Sequence, residues 1–369
     1  MSDFDPVRIA VVGCGSIAKG GYQPRCLAYP NRVKLVGYYD QYRAGAEELQ
    51  KVAGSGKVYA TLDEVLADPN VEAVLNLTTV NGHYPVSLKA LKAGKHVYSE
   101  KPVSITTAEA DELIREAESR KLKLACAPSS PLGYEQQNVW ARIRAGEIGT
   151  PHTVIGKFAC TRLECWHSNA DVFMTNGMSV VADATPYPLS CMTTFFGPVK
   201  RVFGFARIVI PDRTLQVGNR QGTAFKPTIP DHVMGLLEFH SGIRGFILAG
   251  WSGQSEVPPL EIAGTEGAFA LNPHNDGAGI RFLSAKTHEQ QKVPSPPKSF
   301  PNALDWGKGV VDFADAIRRD RLPRCSGYQA RHIVEIAERL NEASATNQVI
   351  EMKTTFPSPE PIGEVAPWE

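Results

Sequence analysis

The sequence predicts an α/β protein of two domains: the first has a parallel sheet, and the second, also α/β, has a large, open, mostly antiparallel sheet. In residues 1–128, short apolar runs rich in β-branched residues alternate with segments of helical periodicity, as in sheets made of βαβ units. From residue 129 to residue 369, long strand-like segments mostly follow one another directly, which favours antiparallel pairing. A chain of 369 residues also exceeds what one hydrophobic core usually serves. We therefore expect one domain over 1–128 and a second over 129–369.

The first domain is predicted to contain six strands, most of them separated by helices. The predicted strands are VRIAVVG, KLVGYYD, KVYAT, VEAVLNLT, KHVYSE and KLKLACA. The predicted helices are RAGAEELQKVA, TLDEVLAD, YPVSLKALKAG and TTAEADELIREAESRK. Crossover connections of this kind are right-handed, so the strands run parallel and helices cover the sheet. Open parallel sheets bind ligands beyond the carboxyl ends of their strands.

The second domain is predicted from a change in pattern. Its predicted strands are HTVIGKFAC, VKRVFGFARIVI, HVMGLLEFH, GIRGFILAGW and LEIAGTEGAFAL. A helix is expected near residues 185–196, and ALDWGKGVVDFADAIRR and GYQARHIVEIAERLNEASA are expected to close the domain as helices. The stretch KVPSPPKSFP is rich in proline but short, which is typical of a surface loop.

Charge and composition disfavour several classes of protein. Lys and Arg total 39, Asp and Glu also total 39, and there is no basic block, so nucleic acids and membrane surfaces are not expected partners. The start MSDFDPVRIAVVG lacks the regions of a signal peptide, and no apolar run approaches the roughly 18 residues of a membrane span. The seven cysteines form no CxxC pair and are expected to be reduced thiols. We therefore expect a cytoplasmic protein.

A glycine motif follows the first predicted strand. In IAVVGCGSIA, the spacing GxGxxA places Gly13, Gly15 and Ala18 between a strand and a helix, as in dinucleotide-binding folds. The second predicted strand ends in Asp40, whose carboxylate can accept hydrogen bonds from ribose hydroxyls and repels a 2′-phosphate. NAD is therefore favoured over NADP, although Arg43 nearby is able to pair with a phosphate. The alternative is that Asp40 is only a solvated turn residue.

The residues predicted to contact the cofactor lie in this motif and at the ends of later strands. They are Gly13, Gly15, Ser16, Ile17, Ala18, Asp40, Thr78, His83, Glu100 and Lys101. His83 could equally cap the start of a helix.

The segment KHVYSEKP places Glu100, Lys101 and Pro102 at the end of the fifth predicted strand. Charged groups are costly to place at the end of a buried strand unless they have a use. Since ligands bind at this edge of the sheet, we expect Lys101 to point into the cofactor crevice, where its ammonium can orient a substrate hydroxyl. The alternative is a surface lysine paired with Glu100.

These motifs resemble the glucose-fructose oxidoreductase/inositol dehydrogenase family, Gfo/Idh/MocA. The resemblance is carried by VVGCGSIA, the strand ending in Asp40, HYPVSLKALKAGKHVYSEKP, GEIGTP, NGMSVVADATPYPLSCMTTFFGPVKRV and PRCSGYQARHIVEIAERLNEASA, which together span nearly the whole chain. It implies a Rossmann domain followed by an α/β domain that forms homodimers or homotetramers. It further implies an NAD(P)-dependent oxidoreductase acting on sugars, polyols or related hydroxyl compounds. By the same resemblance, Lys101 is the catalytic lysine and Asp183 is the aspartate of a D-x-x-x-H pattern.

The sequence departs from the family at Tyr187, where many members have histidine. Some members of the family also have tyrosine there, so Tyr187 is expected to exchange the hydroxyl proton. A free tyrosine has a pKa of about 10, which Lys101 and the nicotinamide ring would have to lower. Prolines flank Tyr187 and are tolerated only in the first turn of a helix, so the helix is expected to start near Thr185, just after Asp183.

A loop before that helix supplies candidate substrate ligands. The stretch TRLECWHSNADVF contains Glu164, Trp166 and His167, and an aromatic plane beside polar groups suits a hydroxyl-rich ring. The alternative is a loop with one packed tryptophan. A zinc site from Cys160, Cys165 and His167 has suitable ligand types, but the spacing fits no usual structural pattern, and no metal is predicted.

The predicted activity is hydride transfer between a nicotinamide and a secondary hydroxyl or carbonyl of a sugar, glycoside or cyclic polyol. Lys101 orients the substrate oxygen, Tyr187 exchanges its proton and Asp183 supports both. Two alternatives stay open. One is a redox-neutral glycoside-processing enzyme that begins with the same hydride step, and the other is a dinucleotide-binding regulator without turnover.

Overall fold

The computed structural model describes residues 5–175, 178–274, 278–287, 289–293, 304–363 and 366–367. Within them the chain forms two compact units. The first comprises the chain up to Leu132, Asp305–Arg331 and the residues from Pro359 onward. The second comprises Gly133–Leu304 and His332–Ser358. The first unit thus passes the expected boundary at 128 by four residues and also includes two later segments that the sequence analysis assigned to the second domain.

The first unit is built on a six-stranded parallel sheet, as predicted. Its strands are β1 (Val7–Val12), β2 (Val33–Tyr39), β3 (Lys57–Val58), β4 (Ala73–Asn76), β5 (His96–Ser99) and β6 (Leu124–Cys126). Their spatial order is β3-β2-β1-β4-β5-β6, which is the order of a Rossmann fold. The order reverses between β1 and β4, so the carboxyl ends of these strands flank the crevice in which such folds bind dinucleotides.

Helices connect these strands. They are α1 (Gln23–Leu27), α2 (Arg43–Ala53), α3 (Leu62–Ala67), α4 (Val80–Lys92) and α5 (Thr107–Ser119). A π-helical turn, Ala18–Tyr22, leads directly into α1. Helix α2 has the bounds that its periodicity predicts. The helix predicted to follow the glycine motif is thus present, although its bounds were not predicted, because neighbouring glycines and a proline have the lowest helix propensities.

The second unit is built on a nine-stranded sheet and a separate short hairpin. Its strands are β7 (Pro151–Ala159), β8 (Val199–Arg207), β9 (Arg213–Thr214), β10 (Ala224–Phe225), β11 (His232–Phe239), β12 (Arg244–Gly250), β13 (Leu260–Gly264), β14 (Gly267–Leu271), β15 (Ile280–Ser284), β16 (Gln290–Val293) and β17 (Ile350–Glu351). The large sheet has the order β16-β15-β14-β13-β7-β12-β11-β8-β17. Of its strand pairs among the described residues, only β7 and β12 are parallel, so the sheet is mostly antiparallel, as predicted.

In the described part of the chain, helices cover one face of this sheet and leave the other open. The covering helices include α6 (Tyr134–Arg144), α8 (Val180–Ala184) and α9 (Pro186–Phe196), whereas α7 (Ala170–Thr175) packs on the short turn Leu163–Cys165. Glycines on the covered face permit close packing, since a Cβ on Gly156 would lie 2.6 Å from the sulfur of Met192 in α9. On the open face, Phe203, Leu236 and Phe246 are cross-strand neighbours, and Leu236 is 57% exposed.

Two long helices follow, α10 (Trp306–Arg318) and α11 (Gly327–Thr346). Helix α10 belongs to the first unit, because Val310, Phe313 and Ala314 lie in the same hydrophobic core as β1 and β2. Periodicity predicts an amphipathic helix here but does not reveal which sheet it covers. Of the expected surface loop at 292–301, residues 294–301 lie outside the described residues. Among the helices described, none combines the length and apolar character needed to cross a bilayer.

Candidate active site

The glycine loop follows β1 and meets the end of β4. Gly13 has a φ of +93°, and a Cβ there would lie 2.5 Å from the carbonyl carbon of Leu77. Only glycine tolerates both conditions. A Cβ on Gly15 would meet no atom within 4 Å, so Gly15 borders open space in which a pyrophosphate can approach the backbone. Ala18 is fully buried. This arrangement fits a bound dinucleotide.

Ser16 and Ile17 come between the loop and the π-helical turn. Ser16 is exposed, whereas the side chain of Ile17 is partly buried against the hydrophobic core. The hydroxyl of Ser16 is therefore accessible to a ligand, and Ile17 can offer only its backbone.

The carboxylate of Asp40 is held at the end of β2 by two backbone amides. The N–H of Cys14 donates to Oδ2 at 2.7 Å, and the N–H of Tyr42 donates to Oδ1 at 2.8 Å. Asp40 thereby fixes the glycine loop to the turn after β2 and stays partly exposed. Burial and the charge of Asp40 raise the pKa of the Cys14 thiol to about 12, which keeps it protonated. Arg43 pairs with Glu47 at 2.7 Å.

Thr78 and His83 connect the loop after β4 to the segment after β5. The hydroxyl of Thr78 donates to Oδ1 of Asn76 at 2.7 Å, and its carbonyl oxygen lies 3.0 Å from Nε2 of His83. Nδ1 of His83 lies 2.7 Å from the carbonyl oxygen of Pro102. His83 is buried, and this burial lowers the pKa of its imidazole. Both ring nitrogens face carbonyl groups of the chain, so a contact between His83 and the cofactor stays a prediction that this geometry does not favour.

Glu100 and Lys101 follow β5. The buried carboxylate of Glu100 accepts the hydroxyl of Tyr22 at 2.8 Å through Oε1 and the N–H of Lys101 at 2.8 Å through Oε2. The Lys101–Pro102 peptide bond is cis. Lys101 is partly exposed at the carboxyl edge of the sheet, where Rossmann folds bind their ligands.

In the second unit, Asp183 and Tyr187 lie on consecutive helices. Asp183 is 9% exposed in α8. Helix α9 has Thr185 as its N-cap residue and Pro186 as its first residue, close to the start that the two prolines predict. Tyr187 therefore lies in the first turn of α9. Residues 176–177, which open the stretch that resembles the family, lie outside the described residues.

Two aromatic rings contact Tyr187. The ring of Phe158 in β7 stacks on it with 6.2 Å between centroids and an angle of 19°, and the imidazole of His274 lies at 4.3 Å and 47°. Phe158 and His274 also contact each other at 4.7 Å. Neither residue was predicted from the sequence. A single loop histidine carries no motif, but alternation along β7 could have placed Phe158 on the face that α9 covers.

The loop with Glu164, Trp166 and His167 is anchored by an ion network. Glu164 is fully buried and pairs with Arg162 at 2.6 Å and with Arg213, whose guanidinium is also fully buried. Burial and two arginine partners do not favour direct contact between Glu164 and a substrate, so that role stays a prediction. Trp166 is 55% exposed, and its indole N–H donates to the carbonyl of Thr161 at 3.3 Å.

Arg213 and its second partner, Asp231, were not predicted. Nη2 of Arg213 lies 2.5 Å from Oδ2 of Asp231, which also accepts the backbone N–H of Ile210 at 3.1 Å. The network therefore joins three chain segments: the loop after β7, strand β9 and the residue before β11. Charged residues so far apart in sequence give no local signal.

The alternative of a zinc site finds no support in this loop. His167 packs its ring on Phe173 at 4.8 Å, and Cys165 is exposed. Burial and then the charge of Asp183 raise the pKa of the Cys160 thiol to about 11. Among the residues that the structure describes, no group of three or more His, Cys, Asp or Glu side chains could hold a metal ion.

Two family models match the chain. The model of the Gfo/Idh/MocA oxidoreductase family, with an NAD-binding Rossmann fold, matches residues 7–127, and the model of the Gfo/Idh/MocA C-terminal domain matches residues 137–270. The chain belongs to the Gfo/Idh/MocA family. The resemblance found in the sequence motifs is thereby confirmed, together with the Rossmann domain and the α/β domain that it implies.

Relatives in this family differ in how much of the chain they match. An uncharacterized protein of Saccharomyces cerevisiae is 33% identical over 126 residues, which cover 34% of this chain and 36% of that protein. This match thus spans about a third of the length of the relative. The scyllo-inositol 2-dehydrogenase (NAD(+)) of Bacillus subtilis is 26% identical over 344 residues, which cover 89% of this chain and 92% of that enzyme.

A solved structure shows the same fold over both units. Levoglucosan dehydrogenase, in complex with NADH and levoglucosan, superimposes with a TM-score of 0.78 and covers 95% of this chain and 100% of that chain. Its sequence identity is 17%, so this likeness shows the fold alone.

Proposed function

We propose that this protein is a dehydrogenase that uses NAD to oxidise, reversibly, a secondary hydroxyl of a sugar, glycoside or cyclic polyol. The observation that carries the proposal is the position of Lys101. It follows β5 at the carboxyl edge of a sheet that also presents the glycine loop and Asp40, and Glu100 holds its backbone in place. Family membership supports the same activity.

The preference for NAD rests on Asp40. Its carboxylate is fixed by the amides of Cys14 and Tyr42, so its charge stays at the end of β2, where ribose hydroxyls bind in Rossmann folds. A 2′-phosphate would be repelled there. Arg43, the residue most able to offset that repulsion, is already paired with Glu47.

Three residues are proposed to act on the hydroxyl of the substrate. The ammonium of Lys101 donates to the substrate oxygen, orients it and favours its deprotonation. Tyr187 takes the hydroxyl proton in its phenolate form, which the ammonium of Lys101 and a bound nicotinamide would favour, and Asp183 supports the arrangement. A bound nicotinamide supplies the hydride acceptor.

The class of substrate is inferred from relatives and from the loop after β7. Inositol and levoglucosan, which appear in the names of two relatives, are both hydroxylated rings. The exposed indole of Trp166 offers a surface on which the apolar face of such a ring can stack, with His167 beside it at 5.9 Å between centroids.

The test is an assay with purified protein, NAD and a panel of sugars, glycosides and inositols. A rise in absorbance near 340 nm is expected with at least one substrate. Lys101→Ala should lower kcat by about 10³-fold and leave NADH affinity unchanged, whereas the control Lys92→Ala, at an exposed position of α4, should keep full activity. Loss of folding in Lys101→Ala would instead support a structural role. Absence of turnover despite NADH binding would favour a regulator, and release of aglycone from aryl glycosides without net NADH would favour a redox-neutral enzyme.

We further propose a homo-oligomer that assembles through the open face of the large sheet. Leu236, Phe205 and Met234 are 57%, 61% and 41% exposed on neighbouring strands β11 and β8. A contiguous apolar surface of this kind is typical of a protein interface. The proposed location is the cytoplasm, which suits the seven cysteines, all free thiols.

A further inference from the structure

We propose that Tyr22 is a positioning residue for Lys101, and that it acts through the buried carboxylate of Glu100. The inference rests on the proposed function, in which Lys101 handles the substrate hydroxyl. Tyr22 belongs to none of the motifs that identify the cofactor site or the lysine.

The three residues form a short bridge between two elements of the first unit. Tyr22 ends the π-helical turn that follows the glycine loop, and Glu100 follows β5. The hydroxyl of Tyr22 donates to Oε1 of Glu100 at 2.8 Å, and the N–H of Lys101 donates to Oε2 at 2.8 Å. Tyr22 is fully buried and Glu100 is 8% exposed, so solvent has little access to this bridge.

The bridge constrains the backbone of Lys101. A buried carboxylate must be stabilised by donors, and hydrogen bonds to a charged acceptor are stronger than those between neutral groups. Without the Tyr22 hydroxyl, Oε1 loses this donor and the carboxylate turns towards another one. Because Oε2 holds the N–H of Lys101, any movement of the carboxylate also moves the lysine.

The ring of Tyr22 is packed independently of its hydroxyl. It contacts Tyr98 edge to face, with 6.1 Å between centroids, and Trp306 at 6.5 Å. Tyr22→Phe therefore keeps the packed ring and removes the hydroxyl, which interacts with Tyr98 as well as with Glu100.

The bridge also connects the expected dinucleotide site with Lys101. The π-helical turn begins directly after Gly15, Ser16 and Ile17, where the dinucleotide is expected, and its last residue holds the carboxylate next to Lys101. One buried carboxylate thereby connects the turn next to the expected dinucleotide site with the backbone of Lys101.

The experiment compares Tyr22→Phe with Tyr59→Phe. Tyr59 is also buried and donates to a carboxylate, that of Asp68, at 2.8 Å, but it follows the edge strand β3. Tyr22→Phe should lower kcat about 10-fold and change the Kd for NADH less than about 2-fold, since a small displacement of a catalytic group is costly. Tyr59→Phe should leave both constants unchanged. An unchanged kcat in Tyr22→Phe, or an equal loss in Tyr59→Phe, overturns the proposal.

A second readout is independent of turnover. Lysines are labelled by reductive ¹³C-methylation, and the resonance of Lys101 is assigned from its absence in Lys101→Arg. In Tyr22→Phe, the carboxylate and Lys101 are expected to move together, so the pKa of labelled Lys101 should change by about half a unit. An unchanged pKa overturns the proposal. If the wild-type protein oxidises no substrate, the proposed function fails, but this titration still shows whether Tyr22 acts on Lys101.

Discussion

The ring of Tyr187 forms a cluster of three with Phe158 and His274, and the imidazole of His274 lies only 4.3 Å from it between centroids. Tyr187 stands where many family members have histidine, so this chain has a tyrosine at that position and an imidazole against its ring. The two contacts restrict the tilt of the phenol in the first turn of α9. His274 has two candidate roles. It can hold the ring of Tyr187 by packing, or its ring nitrogens can form hydrogen bonds that the site needs.

Replacement of His274 separates these roles. His274→Ala removes one side of the ring contact, and kcat should fall about 10-fold because Tyr187 gains freedom to tilt. His274→Phe restores an aromatic surface and should recover most of the activity if packing is what matters. Steady-state kcat at saturating substrate measures both variants. If His274→Phe is as impaired as His274→Ala, the imidazole nitrogens are needed.

Sequence reasoning succeeded where the structure depends on local pattern. The turn at Gly13 and the strand end at Asp40 were predicted from spacing, because each is specified by a few consecutive residues, and the contacts of both residues with a cofactor stay predictions. The start of α9 followed in the same way from the prolines around Tyr187.

It was less successful where function depends on contacts between distant segments. Glu164 carries the type of side chain expected of a sugar ligand, yet it is committed to Arg213, 49 residues away. Tyr22 and Glu100 are separated by 78 residues, and α10 returns to the first unit only after every strand of the large sheet except β17. No spacing rule relates such partners, so only the packed structure reveals them.

Asp40 should determine the choice between NAD and NADP. Asp40→Asn keeps an oxygen acceptor for the N–H of Cys14 but removes the charge that repels a 2′-phosphate. We expect the Kd for NADP to fall about 10-fold and the Kd for NAD to rise by a similar factor. Isothermal titration calorimetry with each cofactor measures the two Kd values and their ratio. Asp63→Asn, at an exposed position of α3, is the control and should change neither value.

The ion network around Arg213 should contribute strongly to stability. Arg213→Met leaves the buried carboxylates of Glu164 and Asp231 without their shared partner, and loss of one member of a buried pair costs about 3–5 kcal/mol. Arg220→Met is the matched control, because Arg220 pairs with Asp171 at the surface, where a pair contributes about 1 kcal/mol or less. Urea unfolding followed by tryptophan fluorescence measures both. Equal losses of unfolding free energy in the two variants would contradict a strong contribution of the buried ion network to stability.

The open face of the large sheet should carry the oligomer contact. Leu236→Asp places a charge among Phe203, Phe246 and their neighbours, and burying that charge in an interface would be costly. We expect this variant to sediment as a monomer at concentrations where the wild type is a dimer or tetramer. Val52→Asp, which changes an equally exposed apolar residue of α2, should not alter the sedimentation coefficient. A wild type that is already monomeric would contradict the proposed assembly.

His96 should make the first unit sensitive to acid. Its Nδ1 accepts the N–H of Lys123 at 2.9 Å, and burial, followed by the charge of Lys123, lowers the pKa of the imidazole from 6.5 to about 4. Between these two pH values the unfolded chain binds a proton at His96 that the folded chain does not bind, so the free energy of unfolding falls as the pH falls. This decrease in the free energy of unfolding is complete below pH 4 and amounts to roughly 3 kcal/mol for the full shift in the pKa of His96.

His96→Asn tests this dependence, because its amide oxygen can accept the same N–H and does not titrate. The difference in unfolding free energy between the wild type and His96→Asn should therefore shift in favour of the variant as the pH is lowered from 6.5 to 4 and stay constant above 7. Urea titrations across this range measure the difference. The exposed His152 has no such buried environment, so His152→Asn should follow the wild-type curve throughout. A constant difference between the wild type and His96→Asn from pH 7 to pH 4 would show that His96 is protonated in the folded protein as readily as in the unfolded chain.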